Sequence, residues 1–393
     1  MLNRRLLRIK AMQHIYAYHR CQQANYELAF SYVREAFEPD LNSMELPDPE
    51  ELSQDRRMAE EVLKARLEGN LGPAKVSDKA QRVAKEALSR YDAQSQKDRS
   101  FLQNQMVDRA EKMSDHYKLA LLLLVAVAEE SYRDLQKKPN SLNPDSVVPA
   151  EIGSTRFYLN PVIQAIRDNE FLKAEAEKMN WSWQDERPSI RQLYKNTIKP
   201  DEAFHTYQHA PGTTLEEDIT IVRHVFNDYL LKNEMVNNFF EEGDISWEEN
   251  KKVIKNLVNR SLKSLSDHPD EGIEIASLTP NWEDDKAFFK ELYTITLRND
   301  DEYEQIISEK SENWAVDRIA SMDRVILKMA IAEMLHFPSI PVKVTINEYV
   351  DISKQYSTQK SKQFINGLLD VIAQTLQDRN LIRKSGRGLI DNR

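Results

Sequence analysis

The sequence predicts an all-α protein. Apolar residues recur with the 3.6-residue spacing of helices from end to end, few stretches alternate with the period of a strand, and only 9 glycines serve 393 residues. With 40% hydrophobic and 30% charged residues, the chain is long enough to bury sizeable cores in two or three domains. A single cysteine, Cys21, excludes a disulfide framework and a cysteine-ligated metal cluster. The longest apolar run, LALLLLVAVA at residues 119–128, is about half the roughly 20 residues of a membrane-spanning helix, so no membrane contact is expected. The N-terminus scatters arginines through its apolar positions and lacks the pattern of a secretory leader, which predicts a cytoplasmic protein.

The elements follow in chain order. A first helix is expected from about residue 3 to beyond Tyr18 and a second to near Pro39, together forming a basic helix pair over residues 1–38. A Pro-rich acidic linker comes next, and the remainder of 39–105 is polar and helix-favouring, which predicts an exposed helical insertion rather than a core domain. Residues 106–214 form a helical middle region, entered by a long helix from about Asp98 through the apolar run to Leu135 and interrupted by Pro139, Pro144 and Pro149. Within 215–280 a repeat becomes visible at an offset of 67: Asp218 falls on Asp285, Leu230 on Leu297, Glu242 on Glu309, Trp247 on Trp314 and Val258 on Val325. Duplication of a helix, helix, Trp, helix module and convergence of similar helix pairs both explain it. Residues 281–380 form a C-terminal module and 381–393 a basic tail. Three helix starts carry a hydroxyl three residues before a carboxylate, at Thr214/Glu217, Ser246/Glu249 and Thr345/Glu348.

Chemistry is conspicuous by its absence. Gly386 and Gly388 form the only close glycine pair and have no strand before them, so no phosphate loop is expected. His205 and His209 stand four apart but lack the glutamate of a zinc helix and are followed by Pro211, which favours a loop histidine pair without metal. Carboxylate neighbours such as Glu241/Glu242 and Asp284/Asp285 sit at helix ends, where solvation and the helix dipole account for them. A binding protein without cofactor is predicted, rather than an enzyme.

Charge locates the binding function. The chain carries a formal −10, yet residues 1–20 and 354–393 each carry +5, so residues 21–353 hold −20. In the first helix Arg4 and Arg8 project within roughly 40° of one another, flanked by Arg5 and Lys10, which predicts a basic exposed side suited to phosphates. Gln13 can read a base edge or make an interhelical hydrogen bond. Near the other end, Lys360, Ser361 and Lys362 precede Phe364 at a predicted helix start, where an aromatic ring can stack a base while lysines hold phosphate. Core burial of Phe364 is the competing reading. Gly367, after Asn366, is expected to permit close helix approach.

The residues Arg4-Arg5-x-x-Arg8-x-x-Ala11-x-Gln13-x-x-Tyr16, with Trp314, Arg318-Ile319, Asp323-Arg324, Ile326-Leu327, Ala330, Glu333, Ile340-Pro341, Ile346-Asn347-Glu348 and Phe364-x-Asn366-Gly367-x-Leu369-Asp370, resemble the NusB family over roughly the first 35 and last 110 residues. The stretch TINEYVDISKQYSTQKSKQFINGLLD resembles the long Bacteroidetes forms of that family, which carry extra helices between the two segments. The resemblance implies a NusB-like helical bundle of two subdomains with a large helical insertion, and a role in transcription antitermination. It implies pairing with NusE, a small-subunit ribosomal protein, to hold the single-stranded boxA element of nascent ribosomal RNA and, indirectly, to assist the RNA polymerase elongation complex. By position, Arg4, Arg5, Arg8 and Tyr16 would face RNA with Lys360, Ser361 and Phe364, and Asp323 and Arg324 would face NusE. Lys360 departs from the acidic residue frequent there in the family. The resemblance leaves open another RNA role, or a protein-interaction scaffold that has lost RNA binding.

Overall fold

The computed structural model describes residues 2–39, 48–73, 75–136, 155–311, 319–358 and 360–389, the side chain of residue 270 excepted. The chain divides into two compact units, one of residues 1–3 and 108–282, the other of 4–107 and 283–393.

Helix α1 (Arg4–Ala36) is one continuous helix rather than two, because no proline or glycine interrupts it. Helix α2 (Pro49–Leu67) starts at a proline, and the Asp48 carboxylate caps it by accepting from the Glu50 N–H at 2.9 Å. Helix α3 (Asp78–Gln136) has 59 residues, hence about 88 Å of length. It joins the later part of the predicted insertion, from residue 78, to the predicted apolar helix, again with no proline or glycine between. The insertion departs from the exposed character expected of it. Ala59, Val62, Leu63, Ala80, Ala84 and Ala87 bury against Ala29, Val33 and Phe37 of α1, forming a satellite core in which alanines replace bulk with close helix approach.

The unit of residues 108–282 takes the last part of α3, then α4 (Pro161–Asp168), α5 (Glu170–Met179), α6 (Arg187–Leu193), α7 (Glu202–His209), α8 (Leu215–His224), α9 (Glu234–Gly243) and α10 (Trp247–Asp267). The apolar run of α3 is buried here, and Trp183 Nε1 donates to the Leu119 carbonyl at 3.1 Å. Trp247 is fully buried and stacks on Phe240. The capping box at Thr214 and Glu217 forms as predicted, whereas Ser246 makes no side-chain cap and its own N–H donates to Asp244. His205 and His209 lie on α7 rather than in a loop, their rings stacked at 4.1 Å. No group of three metal-binding side chains occurs among the described residues.

The other unit is completed by α11 (Trp282–Arg298), α12 (Asp300–Lys310), α13 (Ser321–His336), α14 (Val342–Tyr356) and α15 (Ser361–Asp378). At the offset of 67, the starts of α8 and α11 coincide, and α9 matches α12 to within a residue at each end. Trp314 and Arg318 lie outside the described residues. Helix α13 is buried at every residue from 325 to 334 and packs against α1, α12, α14 and α15, so it is the axis of this unit. No helix among the described residues is long and apolar enough to cross a membrane.

Two local expectations are corrected. Helix α14 begins at Val342 behind Pro341, not at Thr345, because proline already sets the backbone for entry; Thr345 and Glu348 then lie within the helix and bond elsewhere. Gly367 has nothing within 4 Å of where a Cβ would stand, so it permits no close helix approach. The close approach occurs at Gly388, where a Cβ would lie 2.1 Å from the Pro338 carbonyl oxygen. After Asn380 closes α15 with a φ of 55°, the tail returns: Ser385 N–H donates to the Pro338 carbonyl at 3.0 Å and Lys384 Nζ to that of Phe337 at 3.0 Å.

Burial pushes the Lys384 ammonium down to about 8, against 10.5 for an exposed lysine. Between those values the folded state binds fewer protons than the unfolded, so Lys384 makes stability rise as pH climbs from 8 toward 10.5. Urea unfolding across this window should show that rise diminished in Lys384→Met relative to the parent. Gly388→Ala should release the tail, seen as faster hydrogen exchange at the Ser385 amide, with α13 unaffected.

Candidate nucleic-acid interface

The interface is built on the first two turns of α1, whose arginines meet carboxylates of distant helices. Arg8 is 3% exposed, and its Nε and Nη2 donate to the two carboxylate oxygens of Glu333 at 2.7 and 2.8 Å. Glu333, fully buried in the apolar α13, also accepts from Thr345 Oγ1 at 2.8 Å and from the Tyr349 hydroxyl at 3.3 Å. Burial alone would lower the Arg8 pKa, but Glu333 outweighs it and the guanidinium is held above its ordinary value. Burial, and then the Glu333 charge, hold the Tyr349 phenol well above its own.

Arg5 lies at the edge of this network. It makes a two-pronged ion pair with Glu348 at 2.9 and 2.8 Å and reaches Asp351 at 3.0 Å. Its pKa is raised, chiefly by the hydrogen bond to Glu348. Asp351 sits below the usual carboxylate range, first through Lys354 and also through the charges of Arg5 and Lys362. Asp351 is therefore where the two predicted basic segments, at opposite ends of the chain, come together. Arg4 is exposed, pairs with Asp285 at 3.0 Å and has its guanidinium 4.8 Å from the Phe288 ring centre.

The remaining candidates divide between surface and interior. Lys360 and Lys362 are exposed, and Phe364 and Tyr16 are half-buried. Arg20 covers the Tyr16 ring at 4.8 Å and donates to Ser321 at 3.1 Å, tying that aromatic to the start of α13. Three predicted RNA contacts and one predicted partner contact depart from the expected exposure. Arg8 is inside because Glu333 compensates its charge there. Lys10, 1% exposed, lies on the helix face opposite Arg8, which α1 also buries. Ser361, 4% exposed, donates from Oγ to Asp323 at 2.7 Å and is itself bonded to Ser357 and Thr358. Asp323, 4% exposed, thus joins the first turn of α13 to that of α15. Arg324 pairs with Glu304 of α12.

Glu333 and Arg20 were not singled out by chemistry in the sequence. The signal for Glu333 is a lone acid within MAIAEML, since a carboxylate surrounded by apolar positions requires a buried cation. For Arg20 no such signal exists.

The described residues form helical bundles, with a basic edge to which both chain ends contribute. The NusB family matches over residues 246–374. The transcription antitermination protein NusB of Salinibacter ruber is 42% identical over 105 residues, 27% of this chain and 66% of the relative. That of Chloroherpeton thalassium is 38% identical over 106 residues, 27% of this chain and 50% of the relative. That of Geotalea daltonii is 36% identical over 129 residues, 33% of this chain and 79% of the relative. The chain belongs to the NusB family, whose members are non-catalytic. It spans two thirds or less of the length of the first two relatives. No solved structure matches it.

Replacing Arg8 by Ala should cost about 3–5 kcal/mol in urea unfolding, the scale for an unpaired buried charge. The double replacement Arg8→Met with Glu333→Leu should recover most of that loss. Equal loss in both proteins would show that packing, not charge, holds α1.

Proposed function

We propose that this protein is an RNA-binding transcription antitermination factor of the long Bacteroidetes type. Paired with NusE, it holds boxA-type single-stranded RNA of nascent ribosomal transcripts and helps the RNA polymerase elongation complex resist termination. Family membership and the names of the relatives support the antitermination role. The residues 1–245 that precede the family match support the long form.

The observation that carries the RNA site is the meeting of Arg5 and Lys354, one from each basic chain end, on the Asp351 carboxylate. Arg4, Arg5, Lys360, Lys362, Phe364 and Tyr16 supply the direct contacts in this reading, and Arg8, Lys10 and Ser361 hold their helices in place from within. RNA phosphate then exchanges with the carboxylates of Asp285, Glu348 and Asp351, which makes binding steeply salt-dependent. Arg324 and the α12–α13 edge form the NusE-facing side, with Asp323 positioning it.

The carboxylate partners of Arg4 and Arg5 favour one second reading, a protein-interaction scaffold that has lost RNA binding. Fluorescence anisotropy with boxA-type and scrambled RNA, with and without the organism's NusE, at two salt concentrations, separates the two. Tighter, sequence-dependent and salt-sensitive binding with NusE is expected. Arg4→Ala with Arg5→Ala should flatten the salt dependence by about two phosphate contacts and leave the helical circular dichroism unchanged. Absence of RNA binding under all conditions would leave the scaffold.

A further inference from the structure

Apart from the basic edge, the unit of residues 4–107 and 283–393 holds a cleft of 640 Å³ between α1, the early part of α3 and α11. That volume suits a ligand of ordinary metabolite or nucleotide size. Its α3 wall, residues 91–103, lies outside the span that matches the NusB family, whereas Thr294 and Arg298 lie within it.

The wall is set firmly. Arg99 Nη2 donates to the Thr294 carbonyl at 3.0 Å, Gln103 Nε2 to Thr294 Oγ1 at 2.7 Å, and the Tyr293 hydroxyl to the Arg99 carbonyl at 3.1 Å. Within it, Ser95 is 8% exposed, yet its hydroxyl finds no hydrogen-bond partner. That oxygen is enclosed by the protein itself, so the groups open to a ligand are those of Gln22, Tyr91, Asp92, Gln96 and Arg298. Arg298 is exposed on the rim and has no ion pair among the described residues.

The chemistry of the lining narrows the ligand. Carboxamides, hydroxyls and guanidinium groups predominate, which disfavours an apolar molecule. Asp92 is the single carboxylate beside two arginines, which disfavours a metal cation. A nucleotide uses what is open: phosphate against guanidinium, base edges against Gln22 and Gln96, and a base plane against the phenol of Tyr91. We propose that this cleft binds a ribonucleotide unit, its phosphate at Arg298 and its base between α1 and α3. Where the unit is part of a strand, the cleft is a second contact for the RNA of the proposed function and rests on that reading; where it is free, it does not.

The full-length protein tests this with two probes. Ribonucleoside monophosphates are followed by saturation-transfer NMR, and a thiouridine-containing RNA oligonucleotide is cross-linked by light and mapped by mass spectrometry. The exposed-site variant Arg298→Glu and the variant Tyr91→Ala should each weaken binding roughly tenfold, with thermal melting confirming that both remain folded. Cross-links to peptides of residues 91–103 identify the strand as the source. Monophosphate binding lost in Arg298→Glu without such cross-links identifies the free nucleotide. RNA binding that falls with Arg4→Ala and Arg5→Ala but is indifferent to Arg298→Glu, with no monophosphate binding, overturns the cleft and leaves the antitermination site standing. Failure of both probes to bind also overturns it.

Discussion

The Arg8–Glu333 pair is the constraint on which the C-terminal unit depends. A carboxylate in the middle of the most buried helix of that unit must be matched inside the protein, and the matching cation comes from the other end of the chain. Four donors, from Arg8, Thr345 and Tyr349, satisfy the two oxygens of Glu333. The pair therefore sets the register of α1 against α13 and α14 at once. Arg4 and Arg5, one turn or less away, are placed at the rim by that register rather than by their own contacts.

This arrangement changes what a basic helix means. Counted along the chain, residues 1–20 are +5, but in the fold Arg4, Arg5 and Arg8 each face a carboxylate. The surface available to an RNA phosphate is thus a set of exchangeable ion pairs with the exposed Lys360 and Lys362 at the start of α15. Exposed pairs of this kind contribute little to stability, about 0–1 kcal/mol, and so are cheaply exchanged, whereas the Arg8 pair is not. One helix combines a permanent internal charge and a labile external one.

The insertion is likewise more than added length. Its alanines form a core with α1 that bulky residues are not needed to fill, and its long helix α3 contributes to both compact units. Early α3 also presents tyrosine, serine, glutamine and arginine toward α1 and α11, where they wall a polar cleft.

By itself, the sequence determined the all-α class and the family. Helical hydrogen bonds and apolar periodicity are local, so the capping box of Thr214 with Glu217 is readable within a few residues, whereas the same local reading starts a helix at about Asp98 inside the unbroken 78–136 and starts α14 at Thr345 rather than after Pro341. The same locality explains the errors: a hydroxyl and a carboxylate three apart cap a helix at Thr214 but serve Glu333 and Arg5 at Thr345 and Glu348. Which of the basic residues face solvent was decided only by the tertiary structure. Arg8 and Glu333 are 325 residues apart and Arg5 and Glu348 are 343 apart, and no local pattern states that such charges will meet. A buried charge is permitted only where packing delivers its counter-ion, and packing is a property of the whole fold.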